Sequence, residues 1–599
     1  MAIAKSPFPR LNIPEKDIFS FLFQREDRPF PEQHPIFQDA DTDKIYTYAD
    51  IKRMALDFGA GLKARFDWKK GDVITLFAAN DIDSPGVILG TLWAGGVVTP
   101  ANAGYTAREL AYQLKDSGAR VVATQYHCLQ TAREACKTVG ISEDCIVLLG
   151  QQRDPTGRVQ HYTSIRNTSG ATRYRRNKIL PKTDIAFLVY SSGTTGKPKG
   201  VRLSHYNLIS NVCQLQPGEQ YNLTWDGSRT TADIPLPRAG AGGDKILACL
   251  PFFHIYGLTT TIHNPLYTGT TTIVLSKFEI EKWCSLVQKH SITFSYIVPP
   301  IVLLLCKHPA VSSYDLSSIR MTNSGAAPLS REMVESCFKR TGIRVKQGYG
   351  LSETSPTAFN QPWDDWNVTI GSVGQVLSNM EAKICVPVDL SSDECASSSA
   401  SSDHHQDAAP LPFGTIGELH VRGPNIFMGY HNMPDATAGC LSPTGWFRTG
   451  DVGFLDPKGN LFITDRVKEL IKYKGFQVAP AELESYLQEH PFVEDCGVVG
   501  VPSTALGTEV PRAYIVPKGR LTSLAAGGAD RERAQAQAIV TWLNGRVANH
   551  KKLRGGVKFV AEIPKNASGK ILRRIMKEWV RDEVINEPCS SVGAPRSKI

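Results

Sequence analysis

The chain lacks the marks of several common protein classes. Its 13 cysteines are odd in number and scattered, with no CxxC pair. That pattern excludes a disulfide framework and a structural zinc site and suits a reducing compartment. The N-terminus, Met1-Ala-Ile-Ala-Lys-Ser-Pro7, has no apolar run of signal-peptide length. A long uncharged stretch, Ser84 to Ala107, carries five glycines and two prolines. It reads as a buried helix and a following strand rather than a membrane span, which would be more continuously apolar. No dense basic run with interleaved aromatics is present, so nucleic acid is excluded as a partner. There is no internal repeat, no Gly-x-Ser-x-Gly elbow and no Ser–His–Asp or Cys–His arrangement for nucleophilic catalysis. No coiled-coil segment stands out either, and a monomer is expected.

What is present is an ordinary globular composition over 599 residues, 42% hydrophobic and 21% charged. That length is too great for one core, so two or more domains are expected. The net charge of +9, from 67 basic and 58 acidic residues, is a modest excess that a solvated surface explains as well as an anionic substrate does. From about residue 70, strand-like and helix-like segments alternate. Val73–Ala79, Val97–Thr99 and Arg120–Thr124 read as strands, and Gly86–Trp93 and Ala107–Ser117 as helices. This rhythm predicts stacked βαβ units. Two segments interrupt it. Asp226–Asp244, before a predicted strand Ile246–Leu250, reads as an exposed loop, and Ser-rich Ser391–Pro412 as disordered. His404 and His405 in the latter have no further ligands at metal-binding spacing.

The most informative stretch is Tyr190-Ser-Ser-Gly-Thr-Thr-Gly-Lys-Pro-Lys-Gly200, after the apolar strand-like run Ile185–Val189. Glycines let several backbone N–H groups face one anion, Thr194 and Thr195 add hydroxyls, and Lys197 and Lys199 add positive charge. A triphosphate or pyrophosphate needs this combination. The spacing is not that of a P-loop NTPase: two residues separate Gly193 from Gly196, and Pro198 stands where that motif requires Ser or Thr.

The loop resembles the phosphate loop of the adenylate-forming superfamily, which includes acyl-CoA synthetases, 4-coumarate–CoA ligases, luciferases and adenylation domains. Six further matches follow in the family's order. They are Pro251-Phe-Phe-His-Ile-Tyr-Gly257, Ser324-Gly-Ala-Ala-Pro328, Gln347-Gly-Tyr-Gly-Leu-Ser-Glu-Thr354, Trp446-Phe-Arg-Thr-Gly-Asp451, Asp465–Gly475 and Pro564–Leu572. The resemblance covers roughly residues 40 to 580 and is closest to the 4-coumarate–CoA ligase branch. It implies an α/β fold: a large N-terminal domain of stacked βαβ-type sheets with helices, residues 1–465, and a small mobile α+β C-terminal lid, residues 466–585. A flexible tail, 586–599, ends in Ser597-Lys598-Ile599, near the peroxisomal address Ser-Lys-Leu. A peroxisomal enzyme read by the import receptor is therefore expected, or a cytoplasmic one if the tripeptide is not read.

The activity the resemblance implies is an ATP-dependent acid–CoA ligase. A carboxylate attacks the α-phosphorus of ATP, and coenzyme A then takes the acyl group from the adenylate. Both steps need charge stabilisation more than a protein nucleophile. By the same resemblance Lys570 bridges the carboxylate and the α-phosphate, and His254 accompanies the carboxylate and thiol steps. Lys468 is the hinge, and Lys472 and Gln477 support one or other half-reaction. Ser191, Ser192, Gly193, Thr194, Thr195, Gly196 and Lys197 cradle the phosphates, and Glu353 with Thr194 holds Mg²⁺. Tyr349 lies flat on the adenine, Gln347 and Gly348 help bind the nucleotide with Gly348 also bordering the acyl pocket, Ser352 lies near the phosphate, and Asp451 and Arg466 meet the ribose. Lys277, Lys474 and Gly475 lie along the coenzyme A path. Tyr256, Thr260, Ser324, Ala326, Gly350 and Pro356 line the acyl pocket. Phe253, His254 and Ile255 supply no carboxylate for an α-amine, so an aromatic or medium-chain carboxylic acid is the expected substrate. The alternatives are a ligase that loads a carrier protein and a non-catalytic nucleotide-binding relative.

Overall fold

The computed structural model describes residues 2–167, 176–191, 198–229, 242–327, 329–387, 408–466, 469–473, 476–503, 506, 508–519, 528–566 and 569–586. The chain forms two compact units, residues 1–449 with 453–463, and 450–452 with 464–599.

In the first unit, strands of which Val97–Ala101, Val73–Phe77 and Ile146–Leu148 are buried throughout assemble into a sheet in the order Lys199–Ser204, Ile185–Ser191, Val97–Ala101, Val73–Phe77, Ala119–Thr124, Ile146–Leu148, Gln160–His161. All neighbours are parallel except the first pair, which is antiparallel. The helices are set by their ends. Ala107–Ser117 starts in a Thr106/Glu109 capping box and stops at Gly118, whose φ of +65° suits glycine. The glycines of the uncharged stretch have a packing reason. A Cβ on Gly90 would stand 2.7 Å from the Ala55 carbonyl and one on Gly59 2.4 Å from the Trp93 ring, so helices Tyr48–Phe66 and Ser84–Trp93 meet backbone to backbone.

A second sheet runs Gln375–Val376, Thr357–Asn360, Val345–Gly350, Met321–Ser324, Phe294–Ile297, Lys245–Ala248, Thr271–Val274, Pro35–Asp39, Ile45–Thr47. Its central strands are parallel, so their carboxyl ends, carrying Ser324 and Gln347–Gly350, share one rim. The strand expected at Ile246–Leu250 is displaced to Lys245–Ala248. A third, five-stranded sheet includes the N-terminal Ile3–Lys5, antiparallel to Glu381–Cys385.

Both interruptions differ from expectation at one end. Asp244 is buried rather than exposed, because its carboxylate pairs with the buried Arg320 at 2.7 Å and accepts from Thr224 N–H and the Thr293 hydroxyl. Residues 230–241 lie outside the described residues. The end of the Ser-rich segment runs beside the strand Glu381–Cys385: Leu411 N–H donates to Ile384 O at 2.7 Å and Lys383 Nζ to Ala408 O at 2.7 Å. Residues 388–407, with Cys395, His404 and His405, lie outside the described residues.

The second unit has its own core of Leu483, Val498, Ile515, Ile539, Leu543 and Met576. A long antiparallel pair, Val493–Ser503 and Thr508–Pro517, extends to Val557–Phe559 and is accompanied by helices Pro480–Gln488, Gly528–Asn544 and Arg573–Asn586. A two-stranded ribbon joins Ile471–Tyr473 to Phe476–Val478. Among the described residues no helix is long and apolar enough to cross a membrane.

Candidate active site

In the first unit the strands Ile185–Ser191 and Lys199–Ser204 are antiparallel neighbours, with Ser191 opposite Lys199 and Tyr190 opposite Gly200. The anion loop thus connects two paired strands. Ser192, Gly193, Thr194, Thr195, Gly196 and Lys197 lie outside the described residues. Its base is anchored from below: the Tyr190 hydroxyl donates to Asp116 at 2.6 Å and the Tyr112 hydroxyl to Pro198 O at 3.0 Å.

The strand leaving the loop is stitched to a short segment at 427–431. Arg202 N–H donates to Gly429 O, Met428 N–H to Arg202 O, and His431 N–H to Gly200 O. That segment also fixes Glu353. Phe427 N–H donates to Glu353 O at 2.9 Å, and the Tyr430 hydroxyl donates to Glu353 Oε1 at 2.8 Å. Lys199 Nζ stands 4.9 Å from the centre of the Tyr430 ring. Burial and the adjacent Glu353 carboxylate push the Tyr430 phenol far up, so it stays a donor. One tyrosine therefore connects the start of the strand Lys199–Ser204 to the Glu353 carboxylate.

Glu353 lies in a single tight turn, Ser352–Thr354, after the strand Val345–Gly350. The backbone then doubles back. Leu351 N–H reaches Pro356 O at 3.1 Å, and a Cβ on Gly350 would stand 2.0 Å from that oxygen, so the position admits no side chain. Asn425 Nδ2 donates to Thr354 O and Thr357 O, and Asn211 Nδ2 to Thr357 O, which hold the turn from two other elements. Gln347 is buried and accepts Leu329 N–H; Tyr349 is half-buried and edge-on to Phe359 at 6.0 Å; Ser352 is half-buried. A Cβ on Gly348 would crowd Asn323 and Asn360. Beneath, Lys346 is wholly buried and donates to Glu219, Asn360 and Gln361 O, while Glu219 also accepts Trp363 Nε1 at 2.6 Å.

His254 caps the short helix Ile255–Leu258, its Nδ1 accepting Tyr256 N–H at 3.3 Å. Burial drives its pKa down to about 4, so the imidazole is neutral near pH 7. The Tyr256 hydroxyl donates to Asn323 O at 3.1 Å, and its ring lies where a Cβ on Gly325 would be, 3.0 Å away. Thr260, in the π-helical turn Thr259–His263, is fully buried and donates to Tyr256 O. Ser324 and Pro356 are buried, whereas Ala326 is exposed at a left-handed φ of +72°. Lys277 is exposed on the surface, 3.4 Å from Glu279.

The second unit gathers Asp451, Arg466 and Lys570. Asp451 is buried and paired with Arg466 at 2.7 Å. Lys570 sits on a loop closed by Asn566, whose Oδ1 accepts Lys570 N–H at 2.9 Å, with Gly569 at φ +77°. Burial, reinforced by the Arg466 charge and opposed by Glu469 and Asp451, lowers the Lys570 pKa to about 8. Three residues on, Arg573 pairs with Glu469 at 2.5 Å and Glu484 at 2.6 Å, tying this loop to the segment after Arg466. Asp465, raised to about 7 by burial, accepts Arg466 N–H and Ala481 N–H. Lys472 is exposed and opposite Gln477 in the ribbon. Lys468, Lys474 and Gly475 lie outside the described residues.

Comparison with known proteins decides the family. Residues 23–431 match the AMP-binding enzyme family and residues 482–570 the AMP-binding enzyme C-terminal domain. The chain belongs to the AMP-binding enzyme family. This AMP-binding enzyme is 35% identical over 587 residues to a probable 4-coumarate–CoA ligase of Dictyostelium discoideum, covering 96% of the chain and 97% of the relative. It is 35% identical over 578 residues to the 4-coumarate–CoA ligase of Pinus taeda, with coverage of 96% and 97%. Among solved structures it resembles ATP-bound MatB from Rhodopseudomonas palustris, with a TM-score of 0.77, 27% identity and coverage of 95% and 99%. The adenylate-forming fold, a large α/β domain with a small C-terminal one, is therefore that of this chain.

Tyr430, Asn425, Asn211 and Arg573 are the site residues that the motifs did not single out. Arg573 is one of two adjacent arginines, Arg573-Arg574, whose charge alone names no partner, and Tyr430 is 77 residues from its partner.

Proposed function

We propose that this AMP-binding enzyme converts an aromatic carboxylic acid to its CoA thioester through an acyl-adenylate. The chain is an AMP-forming acid–CoA ligase, as family membership and full-length similarity to 4-coumarate–CoA ligases support. The observation that carries the reading is the Tyr430 link, which fixes a buried carboxylate to the strand emerging from an anion-binding loop. A nucleotide triphosphate needs both elements. Glu353 suits Mg²⁺ by chemistry, being a carboxylate held rigid by a hydrogen bond, and Glu353 with Thr194 would hold it. Magnesium, when bound, neutralises phosphate charge.

The protein's own part is positioning and charge. Asp451 accepts from the ribose hydroxyls, with Arg466 beside it. Lys570 brings a cation to the oxygens that gain charge as the carboxylate attacks and pyrophosphate leaves. His254, kept neutral by burial at the start of the helix that carries Tyr256, accompanies the carboxylate and thiol steps as an uncharged group. Lys472 and Gln477, together on the ribbon, serve the thioester step after the lid turns about Lys468, and Lys277, Lys474 and Gly475 receive coenzyme A. Phe253, His254 and Ile255 beside Tyr256 offer no carboxylate for an α-amine, which favours a plain aromatic acid over an amino acid; medium-chain acids are the second class to try. The enzyme acts as a monomer in the peroxisome, addressed by Ser597-Lys598-Ile599. A full-length chain with an N-terminal fluorescent tag that stays cytosolic overturns that placement, and one that stays peroxisomal without the tripeptide overturns the address.

The functional test is pyrophosphate release with ATP and Mg²⁺ across an acid panel, with and without coenzyme A. Acid-dependent pyrophosphate with acyl-CoA formed only when the thiol is present supports the reading. Pyrophosphate without acyl-CoA transfers it to a carrier-protein acceptor, and inactivity across the panel with ATP still bound contradicts it.

A further inference from the structure

Helix Pro299–Lys307 leads out of the strand Phe294–Ile297, and helix Arg331–Thr341 lies between strands Met321–Ser324 and Val345–Gly350. The two helices pack together and each brings a cysteine to the seam. Cys306 Sγ stands 3.5 Å from Met333 O, the carbonyl one helical turn before Cys337. That carbonyl lies in the turn that carries Cys337, so both thiols stand on the same helix–helix seam, and Cys337 Sγ lies 3.7 Å from the Thr341 hydroxyl.

The two thiols are not equivalent. Cys306 is half-buried and Cys337 fully buried. Arg340 donates to Leu305 O at 3.3 Å and His308 O at 2.7 Å, which fixes a guanidinium on the backbone flanking Cys306. The neighbouring Cys337 thiol, with the charges of Lys307 and Arg340 and against burial, holds the Cys306 thiol below its ordinary range, while burial raises those of Cys136, Cys249 and Cys284. A reachable, thiolate-prone cysteine beside a second thiol is the arrangement of a redox pair.

We propose that Cys306 and Cys337 are an oxidation site that closes to a reversible disulfide, with a hydroperoxide as oxidant and a dithiol as reductant. The Cys306 thiolate attacks the distal peroxide oxygen, the O–O bond breaks, and the departing hydroxide takes a proton to become water. Sulfur is oxidised to the sulfenic acid. The Cys337 sulfur then attacks it, the S–O bond breaks, and the hydroxyl leaves as water with the Cys337 proton. In sum two thiols and one hydrogen peroxide give one disulfide and two waters. A dithiol reverses the step by exchange. The closed pair staples the helix leaving one strand of the site-bearing sheet to the helix entering another.

The test treats the full-length protein with hydrogen peroxide, blocks free thiols with iodoacetamide, and maps unreduced peptides by mass spectrometry. The expected product is the Cys306 peptide joined to the Cys337 peptide, lighter than their sum by two hydrogens and absent after dithiothreitol. Cys306→Ser removes the link, and Cys337→Ser leaves Cys306 as a sulfenic acid trapped by dimedone. The wild-type map does not depend on either variant folding. Sulfenic or sulfinic acid on wild-type Cys306 with no joined peptide overturns the proposal. So does linkage of Cys306 to other cysteines as readily as to Cys337, or unchanged thiols at doses that oxidise a low-pKa control thiol.

Discussion

Replacing Tyr430 by phenylalanine removes one oxygen and leaves the ring. The ring keeps its edge contact with Phe427 at 5.0 Å and its place beneath Lys199, so packing is preserved and the fold loses only what the hydroxyl contributes. What is lost is the 2.8 Å hydrogen bond to Glu353 Oε1. A hydrogen bond to a charged acceptor is worth about 1.5–3 kcal/mol. If about 2 kcal/mol of it holds the carboxylate in place for the nucleotide, kcat/KM for ATP falls roughly 30-fold. The assay is acid-dependent pyrophosphate release at saturating acid, with Mg²⁺ titrated. The Mg²⁺ requirement should rise in Tyr430→Phe, and the double variant with Glu353→Gln should be little worse than Glu353→Gln alone, because both changes break one unit. A Tyr430→Phe enzyme within about twofold of wild type, beside a crippled Glu353→Gln enzyme, refutes the positioning argument.

Three further outcomes follow from the same geometry. With Lys570 acting as an ammonium and held near pKa 8 rather than 10.5, adenylation kcat/KM should fall about tenfold per pH unit above that value; Lys570→Arg, if active, should lose this alkaline limb. Lys346→Met strands the buried Glu219 carboxylate and should cost about 3–5 kcal/mol, seen as a lower Tm, with Glu219→Gln in the same chain recovering part of it. Arg573→Ala leaves Glu484 buried without its cation, so the second unit should lose about 3 kcal/mol and adenylation should drop. Arg573→Lys should rescue little, since one ammonium does not span Glu469 and Glu484 as the guanidinium does, and urea unfolding with a probe in that unit reads the loss.

The parts of the molecule legible in its sequence are those where local pattern and tertiary role agree. Val73–Phe77 is a short apolar run buried throughout among parallel neighbours, Ala119–Thr124 beside it exposes only Arg120, and Ala107–Ser117 has both its cap and its terminal glycine in the sequence. The motif glycines were legible too, and Gly350 against Pro356 O shows why one of them admits no side chain. Charged residues were the hard class. Asp244 looked like the rim of an exposed loop because its neighbours are polar and glycine-rich, yet Arg320, 76 residues away, draws it inside. Lys346 and Glu219 carry no sequence signal of burial, since their compensation comes from Asn360, Gln361 and Trp363 on other segments. Tyr430 is silent for the same reason, because a hydroxyl 77 residues from its carboxylate leaves no spacing to read.

The most direct test separates the two half-reactions in Lys570→Ala. One arm measures pyrophosphate and acyl-adenylate from acid and ATP; the other supplies a synthetic acyl-adenylate and coenzyme A and measures the thioester. The account requires adenylation to collapse while thioester formation from the preformed adenylate persists near the wild-type rate. Adenylation that survives the substitution, or loss of both arms in a protein that still folds and binds ATP, would contradict it.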